Sequence, residues 1–151
     1  MASLVDDLNG LLMRSRAGYE AARLTADEIE ETDPDIELGL EDIVDAERWS
    51  SSGLYHRITQ LGGTPNLDVG DFPSRVAEKE DLRERIKMLC REQESAARLI
   101  KSVLNRNDLD QPTRDLLLEI RALYLRNANW CKRTIRQWEP DWVPGYGSRT
   151  S

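Results

Sequence analysis

IELGLEDIVDAERWSSSGLYHRITQLGG, residues 36–63, decides the fold of this chain. Ile36, Leu40, Ile43, Leu54 and Leu61 fall at steps that keep one helix face, with Ile58 beside them. Gly62-Gly63 ends the run, as glycine does just past a helix C-terminus. Halfway along, the same face carries Glu47 and Ser50. Buried polar groups are costly unless they find partners, so this break in the seam needs a reason.

Working outward, three more segments repeat the construction. The first helix runs from Ser3, an N-cap residue, to about Glu31. Its seam is Leu4, Leu8, Leu11, Ser15, Gly18, Ala22, Thr25 and Ile29, and Thr32-Asp33-Pro34 closes it. The third carries Leu82, Ile86, Leu89, Gln93, Ala96, Ile100 and Val103. The fourth opens with Pro112 in its first turn and carries Leu117, Ile120, Tyr124, Asn127, Cys131, Thr134 and Trp138. Each seam turns polar at its midpoint.

The links set the topology. The first and last are short, so helices one and two, and three and four, are expected to be antiparallel neighbours. Thr64 to Pro73 reads as a long crossover, followed by a short turn over Ser74 to Lys79. No strand alternation or internal repeat is present. The expected fold is all-α: an antiparallel four-helix bundle with a long crossover between helices two and three. Residues 1–138 form the bundle and 139–151 a Pro/Gly-rich tail. Ser15, Glu47, Ser50, Gln93, Tyr124 and Asn127 would then meet in one layer.

Composition narrows the function. The chain has 151 residues and a net charge of −7, which suits one domain with one core. Nucleic-acid and anionic-membrane binding rest on Lys and Arg facing phosphates, and no dense basic run occurs. No apolar run reaches the roughly 18 residues of a membrane span, and no signal-peptide pattern opens the chain. Two cysteines make no disulfide framework. A cytoplasmic location is expected.

Specific phrases resemble a known family. Leu8-Asn9-Gly10-Leu11-Leu12 looks like the opening of bacterioferritin. Arg57-Ile58 followed by Leu61-Gly62-Gly63-Thr64-Pro65-Asn66-Leu67 looks like the end of its second helix and its crossover. Asn127-Ala128-Asn129-Trp130 sits where that family has its last iron-ligand histidine and a following Trp. Arg16-Ala17-Gly18 and Ala46-Glu47-Arg48-Trp49 are similar to runs in small ferritin-like proteins related to bacterioferritin and rubrerythrin. The resemblance spans most of residues 4 to 138 and implies the ferritin-like topology.

It also implies a ligand pattern, which this chain departs from. A di-iron carboxylate bundle uses a Glu from each of two helices and a Glu-x-x-His from each of the other two. Here the matching positions hold Ser15, Glu47 with Ser50, Gln93, and Tyr124 with Asn127. One carboxylate remains, and neutral groups do not replace carboxylates as charge-balancing ligands. The expectation is an emptied site with no metal, no cofactor and no catalytic residue. It is either a relic repacked into hydrogen bonds or a small-molecule pocket. Glu47, buried without a counter-ion, should have a raised pKa. The alternative is a metal-dependent oxidase, peroxidase or iron-handling protein, with iron or manganese at Glu47, Glu92 and Glu94. A cofactorless enzyme with Glu47 as base and Tyr124 as acid is a third class.

The remaining features have plainer readings. His56, the single histidine, lies off the seam and reads as solvated surface. Cys131 is on the seam and Cys90 beside it; the two are placed about half a bundle apart, with a pair not favoured. Met13, Ala17, Ala21 and Leu24 form a second stripe on helix one, read as a homodimer surface. The resemblance also implies dimers through the first two helices. Trp49, Trp130 and Trp138 suit the bundle or its interfaces. Trp142 and Tyr146 lie in the tail, which either docks on its own bundle or meets a protein partner. The function expected is a non-enzymatic interaction or ligand-binding protein.

Overall fold

The computed structural model describes residues 2–28 and 33–144. Ile29, the expected end of helix one at Glu31, and Tyr146 lie outside the described residues. Among the described residues, five helices follow in order: α1 (Leu4–Glu28), α2 (Pro34–Gln60), α3 (Phe72–Ala77), α4 (Leu82–Leu104) and α5 (Gln111–Trp138). The third and fourth expected helices are α4 and α5. The short turn expected at Ser74 to Lys79 is α3, beginning two residues earlier.

Local chemistry sets the helix ends. Ser3 Oγ accepts from the Asp6 amide at 3.1 Å while Asp6 reaches back to the Ser3 amide at 3.4 Å, a capping box. Asp33, Asp81 and Asp110 cap α2, α4 and α5 by accepting amides of the first turn. At the end of α2, Gly62 takes φ of 85°. The Gly63 amide then donates to Ile58 O at 2.9 Å and the Gly62 amide to Thr59 O at 3.0 Å. This is a Schellman stop, and it needs a left-handed residue at position 62.

α1 pairs with α2 and α4 with α5 over long stretches, while α1–α4 and α2–α5 close the square. Every neighbouring pair is antiparallel. Arg106 reaches Asp7 and Arg85 reaches Glu28 across α1–α4. Arg57 reaches Asp110, at the start of α5, from the end of α2. The diagonal helices α2 and α4 are therefore parallel, and the crossover must travel the length of the bundle to join them. It does so along α1. Asn66 N donates to Asn9 Oδ1 at 2.7 Å, Asn9 Nδ2 to Thr64 O at 3.1 Å, and Arg16 Nε to Leu67 O at 3.2 Å.

This path corrects the expected homodimer stripe. α3 packs on α1, and Ala21 shares a buried cluster with Val76, with Phe72 and Leu24 against it. Ala17 is buried as well, and Met13 half-buried. The chain covers much of this stripe itself, because an amphipathic turn in the crossover supplies the apolar partner.

The core has two apolar halves. Leu8, Leu11, Leu12, Leu54, Ile58, Ile100, Val103, Leu117 and Ile120 fill one. Ala22, Leu40, Ile43, Val44, Ile86, Leu89, Cys131 and Ile135 are among those filling the other. Between them lies the polar layer. Among the described residues, no helix is long and apolar enough to cross a membrane.

The tail to Pro144 lies back on the bundle. Lys87 Nζ meets Glu139 at 2.8 Å, Arg136 Nε donates to Trp142 O at 3.1 Å, and Arg91 sits over the Trp142 ring. His56 is exposed, with its ring edge-on to Tyr55.

Candidate functional site

The midpoint positions of four seams do meet. Ser15, Glu47, Ser50, Gln93, Tyr124 and Asn127 are all 2% exposed or less. Glu47 is the hub. Ser15 Oγ donates to Glu47 Oε1 at 3.1 Å and Gln93 Nε2 to Glu47 Oε2 at 3.0 Å. The Tyr124 hydroxyl bonds to the same carboxyl. Behind Gln93, Asn127 Nδ2 donates to Gln93 Oε1 at 2.9 Å, and Arg126 Nη2 to Asn127 Oδ1 at 3.3 Å. On the opposite side, Ser51 Oγ donates to Ser15 Oγ at 2.9 Å. The chain of hydrogen bonds thus crosses the bundle from the α1–α2 face to α5, and its donors all point toward Glu47.

Two members differ from the sequence reading. Ser50 is in the layer, but its hydroxyl bonds to no protein group. Ser51, which lies off the seam, joins instead. Gly18 has a sharper role than a small seam residue: a Cβ there would stand 2.0 Å from Glu47 Oε2 and 2.9 Å from Glu47 Cδ. The carboxyl occupies the space that a side chain on α1 would fill. The signal was present in the seam, where glycine stands one turn from Ser15.

Burial pushes the Glu47 carboxyl up to about 8, against the pull of Tyr124, Gln93 and Ser15, which favour the charged form. Among the described residues, no ammonium or guanidinium bonds to it. Burial and the neighbouring Glu47 also push the Tyr124 hydroxyl well above its ordinary range. At pH 7 the layer therefore holds a neutral acid and a neutral phenol.

Glu92 and Glu94 turn elsewhere. Glu92 pairs with Arg14 at 3.4 Å, and burial raises its carboxyl. Glu94 pairs with Lys132 at 2.7 Å. Among the described residues, no three His, Cys, Asp or Glu side chains gather as a metal group.

The thiols correct the sequence reading. Antiparallel pairing puts Gln93 level with Asn127, and so Cys90, one turn before, level with Cys131, one turn after. Cys90 Sγ lies 3.7 Å from Ala128 O. Burial, with Cys90 hydrogen-bonded beside it, pushes the Cys131 thiol well above its ordinary range. The two are buried, adjacent and unlinked.

Two surface concavities accompany the layer. A groove of about 620 Å³ on α2–α5 is lined by Asp42, Asp45, Trp49, Glu119, Leu123 and Arg126, among others. A cleft of about 230 Å³ on α1–α2 is lined by Arg16, Tyr19, Glu20, Arg48 and Ser51.

Antiparallel helices in this square, joined by a lengthwise crossover around a midplane polar site, define a ferritin-like four-helix protein. The chain belongs to the family described as a domain of unknown function, DUF6306, whose model matches residues 2–122. It is also similar to a solved dodecameric thioferritin, the bacterioferritin-related protein from Bacteroides fragilis. The TM-score is 0.77, with 19% identity over 93% of this chain and 90% of that one. At that identity the likeness is one of fold. The curated proteins compared with the chain give no match.

Proposed function

We propose that this chain is a ferritin-like bundle without a di-iron centre, acting as a non-enzymatic interaction or ligand-binding protein in the cytoplasm. One observation carries the reading: Glu47, 1% exposed, is satisfied by neutral donors alone. Two ferrous ions bring four positive charges, and the layer offers one carboxyl held largely as the neutral acid. Gln93 and Asn127 turn their amide N–H groups along the chain toward Glu47, and an N–H donor does not ligate a cation. The donor set does not fit the di-iron group that the fold family implies, nor a single ion at Glu47, Glu92 and Glu94. Self-association belongs to the proposal, in line with the dodecamer named for the Bacteroides fragilis protein. The exposed apolar groups available to carry it include Leu38, Trp49 and Tyr55 on α2 and Leu118 and Leu125 on α5.

The test is metal loading. Purified protein is dialysed against ferrous iron and against manganese, and bound metal is measured by mass spectrometry. Substoichiometric metal, unchanged in Glu47→Ala, is the expected result. Near-stoichiometric metal that Glu47→Ala abolishes would overturn the proposal and restore the metal-dependent alternative.

A further inference from the structure

We propose that the cleft between α1 and α2 is a binding site for a small free oxyanion, held between Arg16 and Arg48 over the hydroxyl of Ser51. The protein is acidic overall, yet two guanidinium groups converge here with little neutralisation. Among the described residues, Arg16 makes no ion pair; its one hydrogen bond is from Nε to Leu67 O. That bond fixes the guanidinium plane and leaves both terminal nitrogens for a ligand. Arg48 hydrogen-bonds the Tyr19 hydroxyl and has one distant ion pair, 3.6 Å to the exposed Asp45, which leaves further guanidinium N–H groups for a ligand. Its guanidinium lies 5.6 Å over the Tyr19 ring, which holds it at the cleft wall. Glu20 lines the cleft but pairs with neither arginine. A planar carboxylate or a tetrahedral phosphate or sulfate group matches the paired donor edges of guanidinium.

The cleft also has a floor that leads inward. Ser51 Oγ is bonded to Ser15 Oγ at 2.9 Å, and Ser15 to Glu47 Oε1 at 3.1 Å. Each hydroxyl has one proton and can turn. With the proton on Glu47, the chain reverses: Glu47 donates to Ser15, Ser15 to Ser51, and Ser51 outward to the bound oxyanion. No bond other than hydrogen bonds changes, and no proton leaves the protein. The cleft has a volume of about 230 Å³, enough for a small oxyanion.

The probes are sodium sulfate, for the tetrahedral group, and sodium acetate, for the carboxylate, each against sodium chloride at matched ionic strength. Amide and arginine side-chain NMR shifts of the full chain are followed at pH 7. Saturable shifts at Arg16, Tyr19, Arg48 and Ser51 with either probe are expected, with millimolar affinity. Arg48→Ala and Arg16→Ala should each weaken binding about tenfold, the loss of a charge-assisted bond. Ser51→Ala should weaken it less and abolish the shift at Ser15. Shifts that are linear, equal with chloride, or unchanged in both arginine variants would overturn the proposal. So would the same shifts on raising protein concentration alone, since a second copy would then fill the cleft. Neither outcome bears on metal loading, so the two proposals fail separately.

Discussion

Gly18→Ala tests the midplane geometry most directly. Alanine favours a mid-helix position by about 1 kcal/mol over glycine, so propensity alone predicts stabilisation. The new methyl would, however, stand 2.0 Å from Glu47 Oε2. That oxygen is the one bonded to Gln93. Moving it strands the Gln93 amide in the core and forces the carboxyl against its neighbours. Overpacking costs about 1–3 kcal/mol, and an unpaired buried donor about as much again. The net expectation is a loss of about 3 kcal/mol, or roughly 6–12 °C in Tm for a domain of this size. Gly10→Ala is the matched control, with nothing within 4 Å of its new Cβ. It should gain about 0.5–1 kcal/mol. Urea unfolding followed by circular dichroism measures both. In a Glu47→Ala background the Gly18→Ala penalty should vanish, since the two residues contest one space. A Gly18→Ala variant as stable as wild type, or an undiminished penalty without Glu47, would refute the reasoning.

Glu47 also links stability to pH. Its carboxyl rises from 4.5 to about 8 on folding, so between those values the folded chain holds a proton that the unfolded chain has released. Its contribution is full below 4.5 and is lost as pH rises through about 8, on the order of 5 kcal/mol in all. Glu47→Gln should flatten the decline in unfolding free energy between pH 5 and 9, and parallel curves for the two proteins would contradict it. At Gly39, a Cβ would meet the Trp130 ring at 1.9 Å. Gly39→Ala should cost about 1–3 kcal/mol and shift tryptophan fluorescence toward that of exposed indole; an unchanged spectrum would refute the contact. Cys90 and Cys131 are both fully buried, so a chromogenic disulfide reagent at pH 8 should label them only on unfolding. Rapid labelling of the native protein would show that the second apolar half is open.

The fold was legible because its signals are local. Apolar spacing, Ser3, Pro34, Gly62 and Pro112 mark helix bodies and ends without knowledge of partners. The polar layer was legible for the same reason, since each seam breaks at its own midpoint. What failed needed register across helices. The level of Cys90 against Cys131 follows from α4–α5 pairing, which neither helix encodes alone. The stripe from Met13 to Leu24 looked free because α3 is six residues long, too short for apolar periodicity to announce it. Ser51 lies off the apolar face, so periodicity discards it, although its short side chain reaches between helices. Asn9 and Asn66 came to notice in phrases that resemble bacterioferritin; Asn66 N donates to Asn9 Oδ1 and Asn9 Nδ2 to Thr64 O, which fastens the crossover to α1.

The one-way run of amides from Asn127 through Gln93 to Glu47 constrains how this sequence can drift. Asn127 donates to Gln93 and Gln93 to Glu47, so replacing any one leaves a neighbour without its partner. A histidine at position 127 or a glutamate at 93 leaves a mismatched donor or a second carboxyl in a core that already shelters one. Stepwise change to a ligand set of carboxylates and imidazoles would pass through less stable intermediates. The layer therefore resists piecemeal change. Descendants of this chain should change positions 47, 93 and 127 together or keep all three.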